Sequence, residues 1–129
     1  MVKTFKDLIV WQKAHQMMLK AYKYTENFPA SEKYGLTSDF RRAARSVPTN
    51  IVEGYKRKGY KDALNFFNIS DASLKEVEYH ALVARDLSYL AEDKFMDLIN
   101  LIAEVGRLLN GWQKSYRPKN LQHCSTEKH

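Results

Sequence analysis

Seven cationic side chains crowd into residues 41–61, namely Arg41, Arg42, Arg45, Lys56, Arg57, Lys58 and Lys61, against the single acid Glu53. Their surplus of +6 equals the formal net charge of the whole chain; the rest, with fourteen basic and fourteen acidic residues, sums to zero. Charge confined in this way creates a local positive potential, which attracts polyanions such as nucleic-acid phosphates or an acidic protein. Arg41, Arg45 and Lys56 share one flank of a helix and lead into Arg57, Lys58 and Lys61. Tyr55 and Tyr60 are interleaved with this basic loop, where aromatic rings can stack on exposed bases. The plainer reading is a solvated basic face that aids solubility. The confinement sets the polyanion reading level with it.

A second constellation lies on another flank of the same helix. Arg42, Ser46, Asn50 and Glu53 follow at offsets of four, four and three. The preferred reading is a polar seam toward a neighbouring helix or subunit, with a functional site as the lesser one. Asn50, just after Pro48, is placed to satisfy a backbone group that the proline releases. Glu76 and Glu78, on the third helix, read as interhelical or intersubunit pairing partners for arginines such as Arg42, Arg45 or Arg85.

Other chemistry finds few candidates. His15 sits beside Trp11 and Met18 near an apolar stripe and reads as a core or interface histidine. Glu76 precedes His80 by four residues and has no second copy, whereas a di-iron bundle needs two Glu-x-x-His motifs and two further glutamates. No metal site and no cofactor are expected. Ser46, Ser70 and Ser73 lie in helices without a nucleophile elbow, and GYKRKG is not a phosphate-binding fingerprint. The acids are dispersed, where a nuclease would cluster them around metal ions. Trp11, Met17, Met18 and Tyr22 could suggest a ligand pocket, but their helical spacing favours bundle core. The expectation is a protein that is not an enzyme.

Four amphipathic segments must position these groups. Steps of three and four place Leu8, Trp11, Ala14, Met18, Ala21, Tyr22, Thr25 and Phe28 on one stripe, predicting a helix over residues 5–28 that ends before Pro29. The second segment opens near Thr37 as N-cap and carries Leu36, Phe40, Ala43, Ala44, Val47, Ile51 and Gly54 inward. Pro48 predicts a kink without a break. The third runs over about residues 60–90. Its inward positions are Ala63, Phe66, Phe67, Ser70, Ser73, Leu74, Val77, Ala81, Ala84 and Leu87, many of them small enough for close helix approach. The fourth, about residues 92–114, turns Phe95, Leu98, Ile99, Ile102, Val105, Leu109 and Trp112 inward. The fold class expected is all-α, an up-down-up-down four-helix bundle over residues 1–117 with a flexible tail over 118–129. Apolar residues off the inward stripes, namely Ile9, Val10, Leu64, Leu82 and Val83, suggest subunit contacts.

Composition agrees. A chain of 129 residues is one domain's worth, its 44% apolar content is ordinary, and five Gly and three Pro are too few for a turn-rich β fold. The single cysteine, Cys124, cannot form an internal disulfide. The first residues contain no apolar stretch long enough for a signal peptide or membrane span, so no membrane association and a cytoplasmic location are expected.

The string FKDLIVWQKAHQ from Phe5, then FPASEKYGLTSDFRRAARSVPTNIVEG, then ASLKEVEYHALVARDLSYL from Ala72, resembles the four-helix bundle proteins encoded in bacterial 23S rRNA intervening sequences. RRAARSVPTNIVEG is the most specific part. Ala72 and Ser73 depart from the pattern, which has a Gly-Ser pair there, and imply a slightly wider helix contact. The resemblance implies a cytoplasmic bundle assembled as a homo-oligomer, typically a pentameric ring, with no established enzymatic activity. The chain is also similar to accessory variability determinants of diversity-generating retroelements. That likeness implies RNA or DNA and a nucleic-acid-processing protein as partners.

The sequence therefore leads to a non-enzymatic oligomeric bundle that binds nucleic acid through Arg41, Arg45, Tyr55, Lys56, Arg57, Lys58 and Lys61. Its alternative is a structural or protein-interaction module whose basic surface meets an acidic protein.

Overall fold

The computed structural model describes residues 2–116; the expected tail, with Cys124, His123 and His129, lies outside the described residues. Four helices are present, α1 (Ile9–Thr25), α2 (Leu36–Lys56), α3 (Tyr60–Asp86) and α4 (Glu92–Tyr116), and no strand occurs among the described residues. Each helix packs on its neighbours in chain order and α4 closes against α1, while the diagonal pairs barely touch. Contacts run antiparallel throughout. Arg41 reaches the end of α1 while Val52 sits by Trp11. Ser46 meets Ser73 while Gly54 meets Phe67. Lys13 pairs with Glu104 and Lys20 with Asp97. This is the up-down-up-down bundle that the periodicity predicts.

The first helix starts later than its stripe suggests. Phe5–Asp7 forms a separate 3₁₀ turn. Asp7 accepts the Lys3 and Thr4 amides at 2.9 and 3.1 Å, and Thr4 Oγ1 accepts the Lys6 amide at 3.2 Å. This reciprocal cap closes the turn. Leu8 then takes an extended conformation that carries its side chain into the core before α1 begins.

Thr37 is not the N-cap of α2. The cap position falls two residues earlier, at Gly35, and the Glu32 carboxylate accepts the Leu36 amide at 3.2 Å. A carboxylate reaching back from the preceding 3₁₀ turn satisfies an orphan N–H and complements the helix dipole. α2 continues unbroken through Pro48.

On α3 the expected stripe is buried with two exceptions. Phe66 is only half-buried, and Leu87 lies 51% exposed. α3 stops at Asp86, short of the expected boundary. Ser88 adopts φ 65°. The Tyr89 amide donates to the Ala84 carbonyl at 2.8 Å, and the Ser88 amide to Arg85 at 2.9 Å. These bonds define a Schellman termination, with serine at the left-handed position that usually holds glycine.

α2 and α3 approach closely. A Cβ on Gly54 would stand 2.5 Å from Phe67 Cδ1, so only glycine fits there. Ala72 faces solvent, while Ser73 is buried and bonded to Ser46. The Ala72 methyl therefore does not widen this contact.

Candidate functional site

The cationic run divides along α2 into two parts with different surroundings. Arg41 and Arg45 face α1. Arg41 Nε donates to Thr25 Oγ1 at 2.8 Å and Nη2 to the Tyr22 carbonyl at 3.2 Å, while the guanidinium lies 4.7 Å from the Tyr22 ring centroid. Its charge therefore stabilises the C-terminal end of α1, where helix carbonyls lack partners. Arg45 is exposed, with Nη1 donating to the Tyr22 hydroxyl.

The second part starts about 16 Å beyond Arg45 along the helix. Arg57 is 3.2 Å from Glu53 and packs over the Phe66 ring at 4.4 Å, while Lys56 lies 3.8 Å from the other Glu53 oxygen. One carboxylate thus serves two cations. Lys58 and Lys61 are exposed and have no ion-pair partner among the described residues. α3 starts between them, after Gly59, without a side-chain cap, and its dipole adds to the local positive potential. Tyr55 is half-buried against the core, so its ring is not an open stacking surface.

The polar seam is smaller than the sequence suggests. Ser46 and Ser73 hydroxyls meet at 2.7 Å, and Asn50 Nδ2 donates to Ser46 Oγ at 3.0 Å and the Ser46 carbonyl at 2.8 Å. Asn50 therefore serves Ser46 and not the Ala44 carbonyl, whose usual donor Pro48 lacks. Ser70, one of the expected inward positions of α3, donates to the Val47 carbonyl at 2.8 Å. Arg42 and Glu53 do not join the seam. Arg42 pairs with Asp39 at 2.9 Å, and Glu53 turns to Lys56 and Arg57. Glu76 is exposed and makes no ion pair among the described residues; Glu78 approaches Lys75 at 3.9 Å, and Arg85 pairs with Asp86. The expected glutamate–arginine pairs are absent within the described chain.

Two further findings refine the sequence reading. Met17 is fully buried, and Trp11 and Met18 pack partly buried against the core. Together with His15, Trp11 and Met18 also line an open groove of about 200 Å³ between α1 and α2. Of the surplus apolar residues, Val10 is buried at 4% exposure, Leu64 and Val83 are half-buried, and Ile9 and Leu82 are exposed.

Polar contacts elsewhere are structural in form. Asp97 on α4 accepts Lys20 Nζ at 2.8 Å and the Tyr24 hydroxyl. The Lys20 and Tyr24 hydrogen bonds hold the Asp97 carboxyl below its usual range, and the bond to Asp97 pushes Tyr24 up to about 12. Burial lowers the His80 pKa, with Asp39 and Glu76 opposing. No group of three or more metal-ligating side chains occurs among the described residues.

A family model of the 23S rRNA-intervening sequence protein matches residues 6–111, which includes the whole basic run. The chain belongs to that family. A crystal structure of a protein of unknown function from the S23 ribosomal protein family, from Bacteroides thetaiotaomicron, shares the fold. It matches with TM-score 0.73 and 21% identity, covering 82% of this chain and 99% of that one. No curated protein matches. None of the described helices is long and apolar enough to cross a membrane.

Proposed function

We propose that this family member is a non-enzymatic homo-oligomeric bundle that binds nucleic acid, RNA or DNA, through the end of α2 and the start of α3. The observation that carries this reading is the exposure of Lys58 and Lys61 without carboxylate partners among the described residues, beside Lys56 and Arg57. Phosphates reward cations that need break no existing pair, and each contact releases condensed counterions. Arg41 is a weaker contributor, because its guanidinium is committed to α1.

Self-association is part of the proposal. Leu82, Tyr79 and Met96, exposed at 36%, 63% and 43%, flank the α3–α4 side of the bundle. Apolar exposure on adjacent helices supports subunit contacts. A ring, as the family resemblance implies, would present several basic ends together and raise avidity.

The test is fluorescence anisotropy with labelled RNA and DNA over a salt series. Lys58→Glu with Lys61→Glu should weaken binding at least tenfold and flatten the log–log salt slope by about two. Unchanged affinity in a folded double variant would refute the reading. Binding to an acidic protein that excess RNA fails to displace would favour the alternative partner class.

A further inference from the structure

We infer that the groove between α1 and α2 receives an unpaired base, making the protein selective for single-stranded nucleic acid over duplex. This inference rests on the proposed nucleic-acid function and narrows its ligand.

The groove has the two properties such a ligand needs. Trp11 and His15 are stacked, with centroids 4.9 Å apart and planes at 11°, and both line it. Opposite them stand Pro48, Thr49 and Val52 of α2. The two rings cover one face of each other and Phe5 meets Trp11 in a T-shaped contact at 5.0 Å, so a base would extend this aromatic stack from the groove. Cations bracket the site: Arg45, Thr49, Val52 and Lys56 follow at offsets of four, three and four, which places them on one stripe of α2. Arg45 lines the groove, and Lys56, which shares the Glu53 carboxylate with Arg57, lies one turn beyond Val52, giving a span of about 16 Å between cations with the acid outside the groove lining. The Tyr22 hydroxyl holds Arg45 in place.

The occupant follows from that charge pattern. A ligand with apolar faces and regularly spaced negative charge matches an aromatic groove between two cations. The α3–α4 groove differs: its walls carry Asp71 and Glu78 together with Lys75 and Arg107, so it has no single sign for a polyanion to match. A duplex keeps its bases stacked inside and can meet only the cations.

Two measurements test the inference. In a Trp112→Phe variant, Trp11 is the remaining tryptophan, since the chain has two. A short oligouridylate should then quench its fluorescence in parallel with anisotropy-measured binding, while an RNA duplex of equal length should not. Trp11→Ala, shown folded by circular dichroism, should lose roughly 5- to 100-fold in single-strand affinity and leave duplex affinity within about twofold. Single-strand binding without quenching, or an unchanged ratio in the folded Trp11→Ala variant, overturns the groove assignment and leaves the lysine surface standing. Absence of any nucleic-acid binding overturns both proposals together, a distinct result.

Discussion

Replacing Gly54 with alanine should destabilise this bundle, although the same change in an ordinary exposed helix is favourable. Alanine gains about 1 kcal/mol over glycine in helix propensity. Here the new methyl would lie 2.5 Å from Phe67 Cδ1 and 3.1 Å from Cζ. Carbon atoms in contact prefer about 3.5–4.0 Å, so the helices must part by about 1 Å or the ring must move. Phe67 is fully buried and its ring centroid is 4.5 Å from that of Trp112, which leaves it little freedom. Overpacking a closed core costs about 1–3 kcal/mol, and expelling the phenyl ring would cost about 2–3 kcal/mol of burial. Subtracting the propensity gain from the ring-displacement cost leaves a net loss of about 1–2 kcal/mol. Thermal unfolding at fixed protein concentration would register this as a fall of roughly 3–10 °C in Tm. The decisive measurement is a double-mutant cycle with Phe67→Leu, which leaves room for the methyl. The two changes should be coupled, with the pair less destabilising than the sum. A Gly54→Ala protein as stable as its parent, or strictly additive effects, would refute the close-approach argument.

Ser88→Gly should stabilise the fold by about 0.5–1 kcal/mol, because glycine adopts the left-handed conformation without the Cβ penalty; a denaturant midpoint that fails to rise would contradict the termination described. His80 has a depressed folded pKa, so the unfolded chain takes up its proton first as pH falls. The corresponding stability is present above about pH 6.5 and is lost as pH drops toward the folded pKa. His80→Gln should accordingly flatten the decline of Tm between about pH 7 and 5. Tyr24, raised to about 12, contributes stability below its ordinary pKa of 10.0 that is lost as pH climbs toward the folded value. Asp97→Asn should bring its ionisation back toward 10.0, read by alkaline absorbance titration against a Tyr24→Phe control.

The repeating steps of three and four determined the bundle because each helix buries one continuous stripe, and periodicity reports that stripe directly. Boundaries were harder to read. Thr37 has the right residue type for a cap, yet Glu32 supplies the bond from outside the helix, a partner that helical spacing does not reveal. The end of α3 was hidden because Ser88 holds a position normally marked by glycine, so apolar residues continue past the true stop. Gly54 was correctly placed inward, but its reason lies in Phe67, which is distant in sequence. Charge was easy to count and difficult to assign. Counting gives a surplus of +6, whereas a functional surface depends on which cations already have partners.

That distinction follows side-chain chemistry. Every arginine of the run has an intramolecular contact: Arg41 with Thr25 and Tyr22, Arg42 with Asp39, Arg45 with Tyr22, and Arg57 with Glu53 and Phe66. A planar guanidinium can combine hydrogen bonds with ring stacking at little entropic cost, which suits it to pinning helices together. Lys58 and Lys61, by contrast, remain solvated point charges. A phosphate meeting a free lysine displaces water and counterions, whereas a phosphate meeting Arg57 must first compete with Glu53 at a cost of about 1 kcal/mol. The lysines should therefore dominate both affinity and salt dependence. Arg41→Lys should instead lower stability while leaving the salt slope unchanged, because an ammonium cannot reproduce the forked contacts to Thr25 and the Tyr22 carbonyl. A reversed pattern, with the Arg41 variant losing nucleic-acid affinity and keeping its Tm, would mean that the guanidinium leaves α1 to meet the ligand.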